Sequence, residues 1–291
     1  MRISLWFAAA LLWLAGCSLV QGTGLPTTES LPPVQQVTPT PPAMIAIVNG
    51  EGIPSDMYNA SLGRFIAAQN QTGTLLATDD LQSTVLNDLI DRLLLAQGAR
   101  EADFSLTDEA LDERVAKVIE EAGGQEAFGR WMASQGYTME TFREELTLEI
   151  EAAWMREQIV SDVPTSAEQV LARQVLLNES FQAERLFEQL EGGTSFEQIV
   201  VNNDPQRLGT LGWFPRGTLL QKEVEDAAFA LQPGEYSEVV ETELGFHIIE
   251  VLDRDPDRPL NPQAILALRL KALEDWLEER RAQSTIEIFI Q

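Results

Sequence analysis

The first half of the chain combines a strand-like run with several helical patterns of apolar residues. The segment 44–54, MIAIVNGEGIP, is rich in β-branched apolar residues and contains Asn49-Gly50, which is typical of a strand followed by a turn. Beyond it, apolar residues recur every three or four positions, and this spacing predicts helices up to about residue 160. The apolar stripes consist of Tyr58, Leu62, Phe65 and Ile66, of Leu86, Leu89, Ile90, Leu93 and Leu94, and of Phe142, Leu146, Ile150 and Ala153. A further helix begins after Thr107, a good N-cap residue, and ends at Gly123-Gly124.

The pattern changes after residue 163 to short mixed elements. The segment Val170–Asn178 predicts a strand, and two helices follow it, the first ending on a pair of glycines. A loop containing Gly209 and Gly212, a short helix over 224–231 and two strands joined through Gly245 complete this part. The predicted order, β-α-α-α-β-β, indicates a small α+β domain of about 90 residues.

The last part returns to helix and ends on a strand. Residues 262–283 predict an amphipathic helix, and Ile286, Ile288 and Ile290 alternate on one side of a terminal strand. The apolar stripe of the helix consists of Ile265, Leu268, Ala272, Trp276 and Leu277. Because a single strand is not stable alone, we expect the terminal strand to pair with the strand near residue 45.

The N-terminus carries an export pattern. Arg2 precedes an apolar run from residue 3 to 15 that is too short for a hydrocarbon layer of about 30 Å. Residues 14–17, LAGC, resemble the bacterial lipoprotein box, which implies that residues 1–16 are a signal peptide and that Cys17 is acylated. An ordinary secretory signal with an incidental cysteine is the alternative. Residues 17–43 hold six prolines and one charged residue, which predicts a disordered tether.

Charge and composition exclude several classes of function. The chain has 46 acidic and 20 basic residues and a net charge of −26, so it repels nucleic acid and anionic headgroups. One cysteine and one histidine cannot fill a Cys/His zinc site or form an intramolecular disulfide. No loop has the acidic spacing and glycine of a calcium site. We therefore expect no metal, no cofactor and no nucleic-acid partner.

A specific resemblance lies in residues 208–253. The matching points are Gly209, LGWF at 211–214, Arg216-Gly217, AAFAL at 227–231, PGE at 233–235 and GFHII at 245–249. The segment resembles a parvulin-type peptidyl-prolyl isomerase domain, and the match extends back to Val170. The run AIVNGEGI followed by helices is similar to the opening of SurA- and PrsA-type exported foldases. The resemblance implies an α+β protein: a helical chaperone domain, 44–163 completed by 260–291, with a parvulin domain, 164–256, inserted as a small antiparallel sheet with helices.

The resemblance also implies a set of site residues. Parvulin sites place two histidines, an Asp or Cys and a Thr or Ser in a network beneath an apolar pocket for proline. His247 matches the second histidine, Thr242 the hydroxyl residue and Asp204 the acidic position, whereas Gln174 stands where the first histidine belongs. The pocket would be lined by Leu211, by Leu219 or Leu220, and by Val224 in place of the usual aromatic residue.

Strand alternation alone gives a different interpretation of His247. The side chain shares a strand face with Ile249 and Val251, and on that pattern it would be a core histidine.

The resemblance favours a lipid-anchored foldase outside the cytoplasm, on the cell surface or the periplasmic side. It would isomerise proline-containing segments of unfolded or partly folded exported proteins without a cofactor and without a covalent step. One alternative is a catalytically silent parvulin-like chaperone that only binds clients, which Gln174 and Val224 favour. A third hypothesis, a solute-binding lipoprotein, requires two α/β lobes with repeated βαβ units, and the helical first half argues against it.

Overall fold

The computed structural model describes residues 43–72, 78–204, 206 and 208–289. The predicted signal peptide, Cys17 and the predicted tether up to residue 42 lie outside these residues. The first half begins with two strands, β1 (Met44–Val48) and β2 (Glu51–Pro54), and continues with five helices in its described residues. These helices are α1 (Ser55–Thr72), α2 (Thr78–Glu101), α3 (Asp108–Glu121), α4 (Gln125–Gln135) and α5 (Met139–Ser161).

The turn between β1 and β2 follows from its two residues. Asn49 and Gly50 have φ values of 53° and 87°, the left-handed conformation that a tight two-residue hairpin requires and that Asn-Gly adopts readily. The hairpin packs on α2, whose residues Leu86, Leu89, Ile90, Leu93 and Leu94 are buried as predicted.

The structure corrects three details of the helical prediction. Helix α4 was not predicted, although glycines flank it: Gly124 precedes it, and Gly136, with a φ of 75°, follows its last residue. Ala153 is exposed, and its neighbour Ala152 is buried in its place. Ile66 is 41% exposed. The predicted N-cap is confirmed, because the Thr107 hydroxyl accepts a hydrogen bond from the Ala110 amide at 3.2 Å.

The C-terminal segment packs against the first half. Helix α9 (Pro262–Gln283) contacts α2 and α5, and the Trp276 ring lies against Gly98. Arg281 forms an ion pair with Asp91 of α2 at 2.6 Å. Strand β7 (Ile286–Ile288) pairs antiparallel with β1, which gives the sheet order β2-β1-β7. The predicted pairing of the terminal strand is confirmed; the division into 44–163 with 260–291, and 164–256, stays a prediction.

The middle of the chain forms a four-stranded sheet with the order β4-β3-β6-β5. Every strand pair in the described residues is antiparallel, which does not fit lobes of repeated βαβ units. The elements are β3 (Ser166–Leu177), α6 (Ser180–Glu191), α7 (Phe196–Asn203), β4 (Thr210–Pro215), α8 (Lys222–Ala230), β5 (Val240–Thr242) and β6 (Gly245–Pro259). Strand β4 corrects the prediction of a loop around Gly209 and Gly212.

The two faces of this sheet bury separate apolar clusters. On one face, Val224, Ala228 and Phe229 of α8 pack against the sheet. We call this cluster the α8-side cluster; its buried sheet residues are Val170, Ala172, Phe214, Ile249 and Val251. On the other face, α6 and α7 pack against Val175 and Ile248.

None of the helices in the described residues is both long and apolar enough to cross a membrane.

Candidate functional site

His247 lies on the α8-side face of the sheet, in the middle of three paired strands. In β6 it stands opposite Leu176 of β3 and Val240 of β5. Gln174 of β3 stands opposite Ile249, so the register places its side chain diagonal to His247 on the same face. Thr242, the last residue of β5, pairs with Gly245. The antiparallel register therefore brings together three residues from three strands, and His247 is 1% exposed.

These three side chains form a continuous hydrogen-bonded chain. The His247 Nδ1 atom lies 2.8 Å from Gln174 Oε1, and its Nε2 atom lies 2.8 Å from Thr242 Oγ1. Because an amide oxygen only accepts, Nδ1 carries the ring proton and donates it to Gln174. Nε2 then accepts from the Thr242 hydroxyl, whose oxygen in turn accepts from the Leu244 amide at 3.1 Å. The chain fixes both the ring orientation and one tautomer of a neutral imidazole.

Burial keeps this imidazole neutral. Removal from water lowers the pKa of His247 below its usual value of 6.5, and the negative charge of Glu223 opposes that shift only in part. A buried, neutral and doubly hydrogen-bonded histidine is held in a single orientation.

Asp204 connects to Gln174 through the backbone of Gly209. The Asp204 carboxylate accepts from the Gly209 amide at 3.1 Å, and the Gly209 carbonyl accepts from the Gln174 amide at 2.8 Å. Gly209 has a φ of 64°, and a Cβ at this position would lie 2.0 Å from the Gln174 carbonyl oxygen. Only glycine fits here, and the contact fixes the start of β4 against Gln174.

The four predicted pocket residues lie in different environments. Leu211 and Leu219 are partly buried and pack against the α8-side cluster. Val224 is 3% exposed and belongs to the cluster itself, so it leaves little surface for a ligand. Leu220 is 92% exposed. The structure thus packs one leucine of the 219–220 pair against the α8-side cluster and leaves the other open to solvent.

Glu225 was not identified from the sequence, although it contacts the segment that carries the predicted pocket residue Leu219. It is 6% exposed, and its carboxylate accepts from the amides of Gly217 at 2.8 and 2.9 Å, Thr218 at 3.1 Å and Leu219 at 3.2 Å. Acidic residues are common in the first turn of a helix because they interact favourably with the helix dipole, so the sequence gives no sign of this second role.

Within the described residues, no group of three or more His, Cys, Asp or Glu side chains is placed to hold a metal ion.

Comparison with known families agrees with this architecture. Residues 177–253 match the PPIC-type PPIASE domain, and residues 2–156, more than half of the chain, match the SurA-like N-terminal domain. The chain therefore belongs to the family of SurA-like proteins with a parvulin domain. The predicted family and the predicted fold class are confirmed.

Individual relatives are named foldases and chaperones. The foldase protein PrsA of Geobacillus kaustophilus is 27% identical over 194 residues, which cover 61% of this chain and 64% of that protein. The chain thus spans less than two thirds of that relative. The foldase protein PrsA of Caldanaerobacter subterraneus is 27% identical over 71% of this chain and 72% of its own length. The chaperone SurA of Methylobacillus flagellatus is 26% identical over 72% of this chain and 56% of its own length.

Solved structures of PrsA also match. The PrsA crystal structure from Bacillus cereus is 20% identical, covers 82% of this chain and 85% of that chain, and has a TM-score of 0.44. The Bacillus anthracis structure is 20% identical, covers 71% of this chain and 99% of that chain, and has a TM-score of 0.42.

Proposed function

We propose that this protein is a lipid-anchored foldase that acts outside the cytoplasm as a prolyl cis-trans isomerase and a chaperone. Its clients are unfolded or partly folded exported proteins, bound through proline-containing segments. The observation that carries the proposal is the hydrogen-bonded chain from Gln174 through His247 to Thr242. It lies on the sheet face of the α8-side cluster, against which the partly buried leucines 211 and 219 pack. The family match and the names of the relatives support it.

The proposed mechanism is non-covalent. Rotation about a prolyl bond crosses a barrier of about 18–20 kcal/mol set by amide resonance, and no bond has to break. The site lowers that barrier when it holds the twisted amide better than the planar one. In this proposal Leu211, Leu219 and Leu220 grip the proline ring and exclude water, while the fixed neutral ring of His247 lies beneath the reacting amide.

Gln174 holds His247 in place but lacks other properties of a histidine at this position. Its Oε1 atom accepts from His247 Nδ1 and so holds the imidazole in place. An amide does not titrate and lacks the shape of an imidazole, so we propose that the activity is weakened and not abolished.

The test is the refolding of a client whose slow phase is limited by proline isomerisation, a process of tens of seconds without a catalyst. The mature chain should accelerate this slow phase, and His247→Ala should abolish the acceleration. Both proteins should still suppress client aggregation, because aggregation is prevented by binding alone. An unaccelerated slow phase with the unsubstituted chain contradicts the isomerase.

A catalytically silent chaperone is the second candidate function. Two observations favour it: glutamine stands at the first-histidine position, and Val224 is almost fully buried instead of presenting an aromatic ring to the pocket. On this candidate the refolding rate is the same with wild type, with His247→Ala and with no added protein, while both proteins reduce aggregation.

We further propose that Cys17 is the mature N-terminus and carries lipid. The support is the LAGC sequence at residues 14–17 and the proline-rich segment after it. Cys17→Ser should move the protein from the detergent-extracted membrane fraction to the soluble fraction. Unchanged membrane association would mean that lipid on this cysteine is not the anchor.

A further inference from the structure

Glu225 is a buried carboxylate whose partners are backbone amides. No lysine or arginine in the described residues forms an ion pair with it. Its Oε2 atom accepts from the consecutive amides of Gly217, Thr218 and Leu219, and its Oε1 atom accepts from the Gly217 amide. Hydrogen bonds to an ionised acceptor are roughly twice as strong as neutral ones. Successive amides that converge on an anion hold their backbone in one conformation. Glu225 therefore determines the path of the segment 217–219.

This segment carries the leucine side of the proposed proline pocket. Leu219 packs against the α8-side cluster, and Leu220 directly after it is 92% exposed. The start of the segment is held separately, because the Thr218 hydroxyl donates to the Pro215 carbonyl at 2.9 Å. Gly217 has a φ of 82°, which turns the chain so that the next amides face Glu225.

Glu225 itself is held firmly by its helix. Its neighbours Val224 and Ala228 are 3% and 0% exposed and pack, with Phe229, on the same sheet face as His247. The carboxylate thus ties the segment 217–219, whose three residues are only partly buried, to α8, which is packed on the sheet.

The other side of the segment offers room to move. A cavity of about 540 Å³ lies between the end of β4 and α9, and its lining includes Pro215, Arg216, Gly217, Leu268 and Lys271. Without the carboxylate, the amides of 217–219 would lose their acceptor, and the chain could turn towards this cavity to reach water. The hydrogen bonds that these three amides donate to Glu225 oppose that displacement.

We infer that Glu225 is a positioning residue of the proline pocket: it holds Leu219 and Leu220 at the proper distance from His247 and sets the affinity for proline-containing segments. This inference rests on the proposed isomerase function. Glu225 acts through the segment and does not contact the substrate, so its loss should affect substrate binding more than the rate of the bound complex.

The experiment compares Glu225→Gln with wild type and with the control Asp226→Asn, which removes the same charge from an exposed position of α8. KM for a proline peptide should rise about tenfold in Glu225→Gln, the scale of a lost hydrogen bond to a charged group, with kcat within about twofold. Hydrogen exchange of the amides of residues 217–219 should accelerate in Glu225→Gln. The control should leave KM and these amides unchanged. Glu225→Asp, which keeps the charge on a shorter chain, should show a smaller rise in KM; it carries the test if Glu225→Gln does not fold.

Two outcomes overturn the inference and can be told apart. If wild type is active and Glu225→Gln and Glu225→Asp keep its KM and kcat, the positioning role is wrong while the proposed function stands. If wild type neither catalyses nor binds the peptide, the proposed function fails and the positioning role fails with it, whatever the amides of 217–219 show.

Discussion

Two regions of the molecule differ in how many polar side chains they bury. The helical region comprises residues 43–163 with α9 and β7, and the sheet region comprises residues 166–259. In the helical region, the buried polar side chain among the described residues is Gln97. Its amide donates to the Val48 carbonyl at 3.0 Å and accepts from Asn49 at 2.8 Å, so it joins α2 to the hairpin. The sheet region buries four such side chains, Gln169, Glu225, Ser237 and His247.

This difference indicates how each region responds to change. The helical region is held by apolar packing between distant segments, which tolerates single substitutions of similar volume. Its weak point is the loss of a whole segment. The sheet region depends on buried polar groups that need every hydrogen-bond partner. A single substitution that displaces one partner therefore costs more stability there than in the helical region. Three predictions test the contrast, in order of expected effect.

Deletion of residues 260–291 should unfold the helical region and spare the sheet region. The deletion removes β7 from β1 and uncovers the faces of α2 and α5 that α9 covers. Tryptophan fluorescence distinguishes the regions, because Trp131 and Trp154 lie in the helical region and Trp213 in the sheet region. We expect loss of the cooperative transition for the first pair alone. Native emission from that pair after the deletion would show that 44–163 folds without the C-terminal segment.

Gly209→Ala should destabilise the sheet region by about 3 kcal/mol or more, because a steric clash with the backbone of β3 adds to the cost of a positive φ. The added Cβ would lie 2.0 Å from the Gln174 carbonyl oxygen. Gly212→Ala is the matched control: its φ is 74°, but no atom lies within 4 Å of the added Cβ. It should cost only about 1–2 kcal/mol of backbone strain. Thermal denaturation measures both, and equal losses would refute the close-contact argument.

Acidification should remove the stability that His247 contributes. Its pKa is lower in the folded chain than in the unfolded chain, so the folded state favours the neutral ring. That contribution is fully present above the unfolded pKa of about 6.5 and decreases as the pH falls through the folded pKa. The advantage of wild type over His247→Gln in unfolding free energy should therefore shrink between pH 7.5 and pH 5.5. A constant or growing advantage would mean that the ring is not held neutral.

Much of the fold could be predicted because its signals are local. The leucine stripe of α2 and the length of α9 follow from helical spacing, and the unpaired apolar strands at the two ends of the chain indicated their pairing. The contacts of His247 with Gln174 and Thr242 agree with positions that came from the family resemblance, not from spacing.

The remaining features depend on tertiary contacts. Strand β4 has glycine and proline among its six residues, which hides a strand signal that only pairing with β3 reveals. The prediction placed Ala153 inward instead of Ala152, because helical spacing does not determine which of two adjacent alanines contacts a neighbouring helix. The role of Glu225 requires the amides of residues 217–219 to face it, a geometry that no local pattern encodes.

The most direct test of the account is kcat/KM for one proline-containing peptide with wild type, Gln174→His and His247→Ala. The account predicts weak catalysis by wild type and none by His247→Ala. Gln174→His should raise kcat/KM about tenfold, which requires only about 1.4 kcal/mol of additional transition-state stabilisation. If all three proteins match the uncatalysed rate while client aggregation is still suppressed, His247 is a core residue of a silent binding module and the proposed isomerase site is wrong.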